Sequence, residues 1–235
     1  MPRLHQAVLS LVCLAIGFSS ASTADKKLRL FILSGQSNMA GLDPQVSFTP
    51  AVEKEFAGDD VRVVKVAVGG QPIRRWYKKW KLPAGATESN ARPARDGDLY
   101  DKLLETVKTE LGDRKPDTIA FVWMQGERDA KAGWQDAYYE ALRGVVEQLR
   151  TDLNHPQIAV VVGRLSDHLK GDKQWDAVRA IQEKVAADEP FGAWVDTDDL
   201  NGKEGLHYNK AGYAELGARF AARAGELVRK IDGTK

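Results

Sequence analysis

Five short apolar, β-branched runs punctuate the chain, at residues 28–34, 61–68, 118–125, 157–165 and, more briefly, 193–196. Between and after them, apolar positions recur with the three-to-four-residue spacing of a helix that buries one face, around 99–111, 134–153, 175–188 and 211–230. Strands that alternate with helices predict a parallel sheet with helices packed on both faces. In such sheets ligands bind beyond the carboxyl ends of the strands. Ser37, Gly69-Gly70 and Gln125-Gly126-Glu127 each follow the end of a predicted strand, so three separate segments converge on one edge. The stretch 81–98, with Pro83, Gly85, Asn90, Pro93 and Gly97, predicts a long surface loop. No internal repeat, low-complexity tract or linker divides the remainder.

The apolar stretch from Ala7 to Phe18 belongs to a different pattern. Arg3 and His5 precede it and Ser22-Thr23-Ala24 follow it, which describes a secretory signal peptide over 1–24 and leaves 25–235 as one domain. The stretch is too short for a comfortable membrane span, so no stable membrane insertion is expected after cleavage. The expected destination is the periplasm or the exterior. Cys13 is the only cysteine and falls inside the stretch, so the mature chain has neither a disulfide nor a thiol nucleophile. With 34 Lys and Arg against 33 Asp and Glu, the net charge of +1 gives no reason to expect nucleic acid or an anionic membrane as partner. Nothing in the sequence reports an oligomeric state.

The chemistry sits at the two ends of the domain. Gly35-Gln36-Ser37-Asn38-Met39 closes the first apolar run, and Glu204-Gly205-Leu206-His207 lies near the other end. A serine hydroxyl is a poor nucleophile at neutral pH and needs an imidazole in hydrogen-bond reach, held in the right tautomer by a third group. Ser37, His207 and Glu204 supply nucleophile, base and acid. A helix starting soon after Ser37 would turn its free N–H groups toward negative charge developing on a substrate oxygen. The Gly-x-Ser-x-Gly elbow of the α/β-hydrolases is missing around Ser37.

Set beside Gly69-Gly70-Gln71-Pro72-Ile73, Trp123-Met124-Gln125-Gly126-Glu127-Arg128-Asp129 and Gly205-Leu206-His207, the Gly-Gln-Ser-Asn-Met segment resembles the SGNH hydrolase superfamily. The likeness is greatest to its branch of sialate O-acetylesterase-like proteins and related carbohydrate acetylesterases, and it runs from Leu28 to about Phe220. It implies a three-layer α/β/α sandwich with a central parallel sheet, of flavodoxin-like type, and cofactor-free hydrolysis of acetyl esters on sugars such as acetylxylan or O-acetylated sialic acid. Ser37 matches the nucleophile and His207 the base. The implied oxyanion donors are the N–H groups of Ser37 and Gly70 and the side-chain amide of Gln125. Two positions depart from the pattern. Glu204 stands where aspartate is usual, which leaves Asp196, Asp198 and Asp199 as alternative acids. Gln71-Pro72 replaces the small hydroxylated residues common after the glycines. An acyl-chain esterase of the same superfamily, and a carbohydrate-binding protein without catalysis, are the competing functions.

Several residues have plainer roles open to them. Trp76 and Trp80, four apart among Arg74, Arg75, Lys78, Lys79 and Lys81, would share one face of a helix. Core packing accounts for such a pair more often than a sugar-stacking platform does. With Gln36 they are the candidate substrate-binding residues. Glu127 and Asp129, near a helix start, are expected to cap free N–H groups. Glu204 and His207 alone cannot complete a metal site, and neither His155 nor His168 has a ligand cluster nearby, so no metal is expected.

Overall fold

A computed structural model describes residues 26–86, 95–201 and 205–234. The expected signal peptide and Glu204 lie outside the described residues. The sheet has five parallel strands, β1 (Leu28–Gly35), β2 (Asp60–Ala67), β3 (Thr118–Met124), β4 (Ile158–Gly163) and β5 (Gly192–Val195), in the order β2-β1-β3-β4-β5. β1, β3 and β4 are buried along their whole length, which is why they read in the sequence as unbroken apolar runs.

Alternate residues of each strand feed two cores. Leu30, Ile32, Ile119, Phe121, Val160 and Val162 face α3 (Asp98–Leu111), α5 (Gln135–Asp152) and α6 (Lys173–Asp188). Phe31, Leu33, Ala120, Val122 and Val161 face α2 (Phe48–Glu55) and α7 (Lys210–Asp232). The α/β/α layering expected from the sequence is therefore the observed one. In α3 the core residues Leu99, Tyr100, Leu103, Val107 and Leu111 keep the helical step that predicted it. Two further helices are short, α1 (Ser37–Gly41) and α4 (Glu127–Ala132), and each starts within three residues of a strand end. Among the described residues no helix is long and apolar enough to cross a membrane.

The register sets where chemistry can occur. Gly35 pairs with Ala67 on one side and with Met124 on the other, so β1, β2 and β3 end level with one another. Chain order reverses between β1 and β3, and the crevice outside that switch point is where open α/β sheets bind ligands. Gly35 makes the exit from β1 possible. Its φ is 146°, and a Cβ there would lie 1.9 Å from the Met124 carbonyl oxygen. The Gln36 N–H then donates to that carbonyl at 2.9 Å, which turns the chain across the end of β3 and presents Ser37 at the start of α1.

Candidate active site

Ser37 and His207, 170 residues apart in sequence, meet at the carboxyl edge of the sheet with Oγ 3.1 Å from Nε2. That distance suits a hydroxyl proton handed to an imidazole. Ser37 is half-buried and His207 exposed, so the pair opens to solvent. Gly69 runs alongside, and a Cβ built on it would sit 3.6 Å from the Ser37 Cβ. The next residue, Gly70, has a φ of 69° and open space around it. Among the described residues, the backbone N–H groups of Ser37, Gly69 and Gly70 donate to no protein acceptor. Ser37 is the first residue of α1, where the N–H has no partner within the helix.

The remaining candidates are placed differently from one another. Gln125 follows β3 as expected, but its side chain is turned inward and fully buried. Its Nε2 lies 2.5 Å from Asp129 Oδ2, 3.1 Å from the Gln71 carbonyl oxygen and 3.2 Å from Gln36 Oε1. The amide has two hydrogens for three acceptors, so in this arrangement it ties the glycine turn to the end of β3 and has no free donor for a substrate oxygen. Gln36 is buried for the same reason: its Oε1 also accepts from the Arg128 N–H at 3.2 Å.

The sugar-stacking expectation for Trp76 and Trp80 is corrected. Residues 73–75 form a single 3-10 turn, and Trp76 passes from it into the core with no exposed surface. Its indole Nε1–H donates to Ser34 Oγ at 2.9 Å and its ring meets Trp123 edge-on. Trp80 is 8% exposed and packs on Trp134, with ring centroids 5.1 Å apart. Neither indole offers a free face.

The upstream aspartates are engaged elsewhere. Asp198 accepts from Arg179 at 2.7 and 2.9 Å and from Arg164 at 3.0 Å, and the Arg179 guanidinium holds its carboxyl below the usual range. Asp196 pairs with Arg164 at 2.6 Å. Asp199 forms a two-pronged pair with Arg219 at 2.6 and 2.7 Å. These pairs anchor the segment that leaves β5, and an antiparallel bridge between Asn201 and Tyr208 closes the loop that carries His207. Asn209 then caps α7, accepting from the Gly212 N–H at 2.9 Å. Among the described residues no carboxylate lies within hydrogen-bond distance of His207.

Three polar residues missed as site residues by sequence reasoning organise this edge. Asn38 is 2% exposed and donates from Nδ2 to Glu127 Oε1 at 2.9 Å and to the Leu206 carbonyl oxygen at 3.1 Å. Asp129 accepts from Gln125 and, at 3.0 Å, from the Ile73 N–H beyond the glycine turn. Both carboxyls are drawn inside, because α4 runs under the strand ends against α5 and α6. The backbone N–H groups of Gly126 and Glu127 at the start of α4 favour the ionised Glu127, as expected of a capping acid, whereas Asp129 takes the Ile73 N–H instead of the helix start. The available signal was the pair of acids two residues apart directly after a strand-end Gln-Gly.

Burial pushes the carboxyls of both Glu127 and Asp129 up to about 7. A carboxyl whose proton is held more tightly folded than unfolded adds stability at low pH and loses it as pH rises through the folded value. Native stability should therefore fall between about pH 4 and about pH 7, by at most ~1.4 kcal/mol per pH unit for each group. Urea unfolding of the native chain and of Asp129→Asn across that window checks this. The variant should show a shallower slope, and identical slopes would remove Asp129 from the account.

The sheet order and the helices on both faces make a three-layer α/β/α fold with level strand ends at the site. The chain belongs to the family described as carbohydrate esterase, sialic acid-specific acetylesterase, whose model matches residues 40–226. The match begins three residues after Ser37. No curated protein matches the chain. Among solved structures, a protein from Arabidopsis thaliana superposes with a TM-score of 0.67 at 19% identity, over 85% of this chain and 98% of its own. A carbohydrate acetylesterase from Xanthomonas citri gives 0.63 at 17% identity, over 86% of this chain and 56% of its own. NanS gives 0.59 at 13% identity, over 89% and 99%. At these identities the likeness is one of fold. The family match identifies the chain as esterase-like.

Proposed function

We propose that this chain is an exported serine esterase that removes O-acetyl groups from a carbohydrate. The observation that carries the reading is the 3.1 Å contact between Ser37 Oγ and His207 Nε2, beside three unpartnered backbone N–H groups. Ser37 Oγ attacks the acetyl carbonyl carbon while His207 Nε2 takes its proton. The carbonyl oxygen, now negative, sits against the N–H groups of Ser37 and of the Gly69-Gly70 turn. Collapse of the tetrahedral species breaks the bond to the sugar oxygen, which leaves with the proton from His207. Water then gives a proton to His207 and attacks the acetyl-serine, and acetate leaves as His207 returns that proton to Ser37 Oγ. Gln125 acts here as the strut that keeps the glycine turn against Ser37.

The family match supports an acetylated carbohydrate as substrate, and so does the open setting of the pair, with His207, Gly69 and Gly70 all exposed. A polymer chain can reach such an edge without entering a tunnel. Acetate release from acetylated xylan, acetylated pectin and O-acetylated sialic acid, run side by side, tests the reading. Release from none of them, with a short acyl ester still hydrolysed, would move the substrate away from sugars.

Glu204 is the proposed acid, because it stands three residues before His207 and the three upstream aspartates are held by arginines. Glu204→Gln is expected to lower kcat by about 10²-fold or more, since the imidazolium loses its stabilising charge. Asp199→Asn, which removes only an exposed ion pair, is expected to change kcat less than about threefold. Steady-state kinetics on folded variants at one pH decides between them, and the reverse ranking would place the acid upstream.

A further inference from the structure

We propose that Asn38 is a positioning residue for His207, holding the histidine loop against the nucleophile turn while the buried Glu127 carboxylate fixes the Asn38 amide. The inference rests on the reading of Ser37 and His207 as nucleophile and base. Asn38 is the neighbour of Ser37 on α1, and where Ser37 faces the open edge, Asn38 is buried. All its polar capacity on that side is used. One Nδ2 hydrogen goes to Glu127 Oε1 and the other to the Leu206 carbonyl, while Oδ1 accepts from the Tyr213 hydroxyl at 3.2 Å. The Leu206 carbonyl can only accept, which sets the orientation of the amide.

Those three partners belong to three different elements: α4, the histidine loop and α7. Leu206 is joined directly to His207, so the Asn38 bond acts one peptide away from the base. His207 needs that anchor. It is exposed, and among the described residues its one side-chain hydrogen bond is to Ser37, so packing does little to hold the imidazole in place. The neighbouring turn adds a second contact: a Cβ on Gly205, whose φ is 75°, would lie 2.4 Å from His168 Nδ1. That contact limits movement of the loop toward His168, and the Asn38 bond limits its movement away from Ser37.

Glu127 completes the device. Its Oε1 bonds to Asn38, and its Oε2 is buried without a hydrogen-bond partner. A carboxylate kept inside with one oxygen unpaired is costly to folding. Its one side-chain hydrogen bond is the one to Asn38, so its side chain bears on the site through that amide.

The experiment measures the rate constant for fluorophosphonate labelling of Ser37, together with kcat and KM on a chromogenic acetate, in the native chain and in Asn38→Ala, Asn38→Asp, Glu127→Ala and Glu127→Gln. Labelling depends on the Ser37–His207 geometry and not on any sugar. Asn38→Ala is expected to slow labelling and kcat about 30-fold or more, with KM moving less than about threefold, because a base displaced by an ångström costs about that much. Asn38→Asp has the same size and sets a carboxylate oxygen against the Leu206 carbonyl, so it should lose at least as much and covers the case in which the alanine variant does not fold. Glu127→Ala should show the same split, and Glu127→Gln, which still offers an acceptor to Asn38, should recover most of that loss. Labelling of either folded Asn38 variant within about threefold of native would overturn the inference, as would equal losses in the two Glu127 variants. A native chain that takes no label at Ser37 would bring down the serine-esterase reading, and this inference with it.

Discussion

Ser37→Ala is expected to reduce acetyl-ester hydrolysis by about 10⁴-fold or more while leaving the fold unchanged, because removing the nucleophile of a hydroxyl-imidazole pair leaves only the oxyanion donors and substrate binding to act. The size of the effect follows from how little else near Ser37 could replace it. His207 Nε2 meets the Ser37 hydroxyl, and the neighbouring Asn38 and Gln36 side chains are committed to buried bonds. The hydroxyl itself is half-exposed and bears little of the packing, so the variant should unfold within about 0.5 kcal/mol of the native chain. Steady-state kinetics on a chromogenic acetate and a urea melt measure the two halves. Near-native turnover by a folded Ser37→Ala would end the serine mechanism. A loss of turnover matched by a loss of stability would assign Ser37 to folding instead.

Gly35→Ala should give the largest loss of stability among single substitutions at this edge. The added methyl would lie 1.9 Å from the Met124 carbonyl oxygen, and the φ of 146° is one that a residue with a Cβ rarely adopts. The obstacle is backbone of the central strand β3, so no side chain can move aside to relieve it. Either β1 and β3 separate at their ends or Gly35 changes conformation, and both outcomes displace Ser37. A cost of about 4 kcal/mol or more is expected, read as a lowered urea midpoint or loss of soluble protein. An unchanged midpoint would show that the exit from β1 can be made without glycine.

Much of the scaffold was legible because β1, β3 and β4 are covered on both faces, and a strand so covered is written as an unbroken apolar run. The long helices were legible by their spacing. The short ones were not: α1 and α4 have 5 and 6 residues, too few to form by their own propensity, and they exist because the strand ends and neighbouring helices hold them. The spacing of Trp76 and Trp80 would put them on one face of a helix, but residues 76–80 form no helix. Folding turned both rings inward, Trp76 onto Trp123 and Trp80 onto Trp134.

The alternation of strands and helices, the approximate strand ends, and a serine, a glycine pair, a Gln-Gly-Glu and a late histidine in an order that fits one edge of a sheet are all written in the chain. These are properties of local composition and period, which residues carry along the chain. How the polar side chains pair emerges only once the chain is folded. Gln125, expected to face the substrate, is drawn inward by Asp129 and the Gln71 carbonyl. Asp196, Asp198 and Asp199 are taken by Arg164, Arg179 and Arg219. Glu127 binds Asn38 from 89 positions away. A hydrogen bond is fixed by distance and direction in space, and residues so far apart in sequence acquire these only when the sheet register brings their strand ends level.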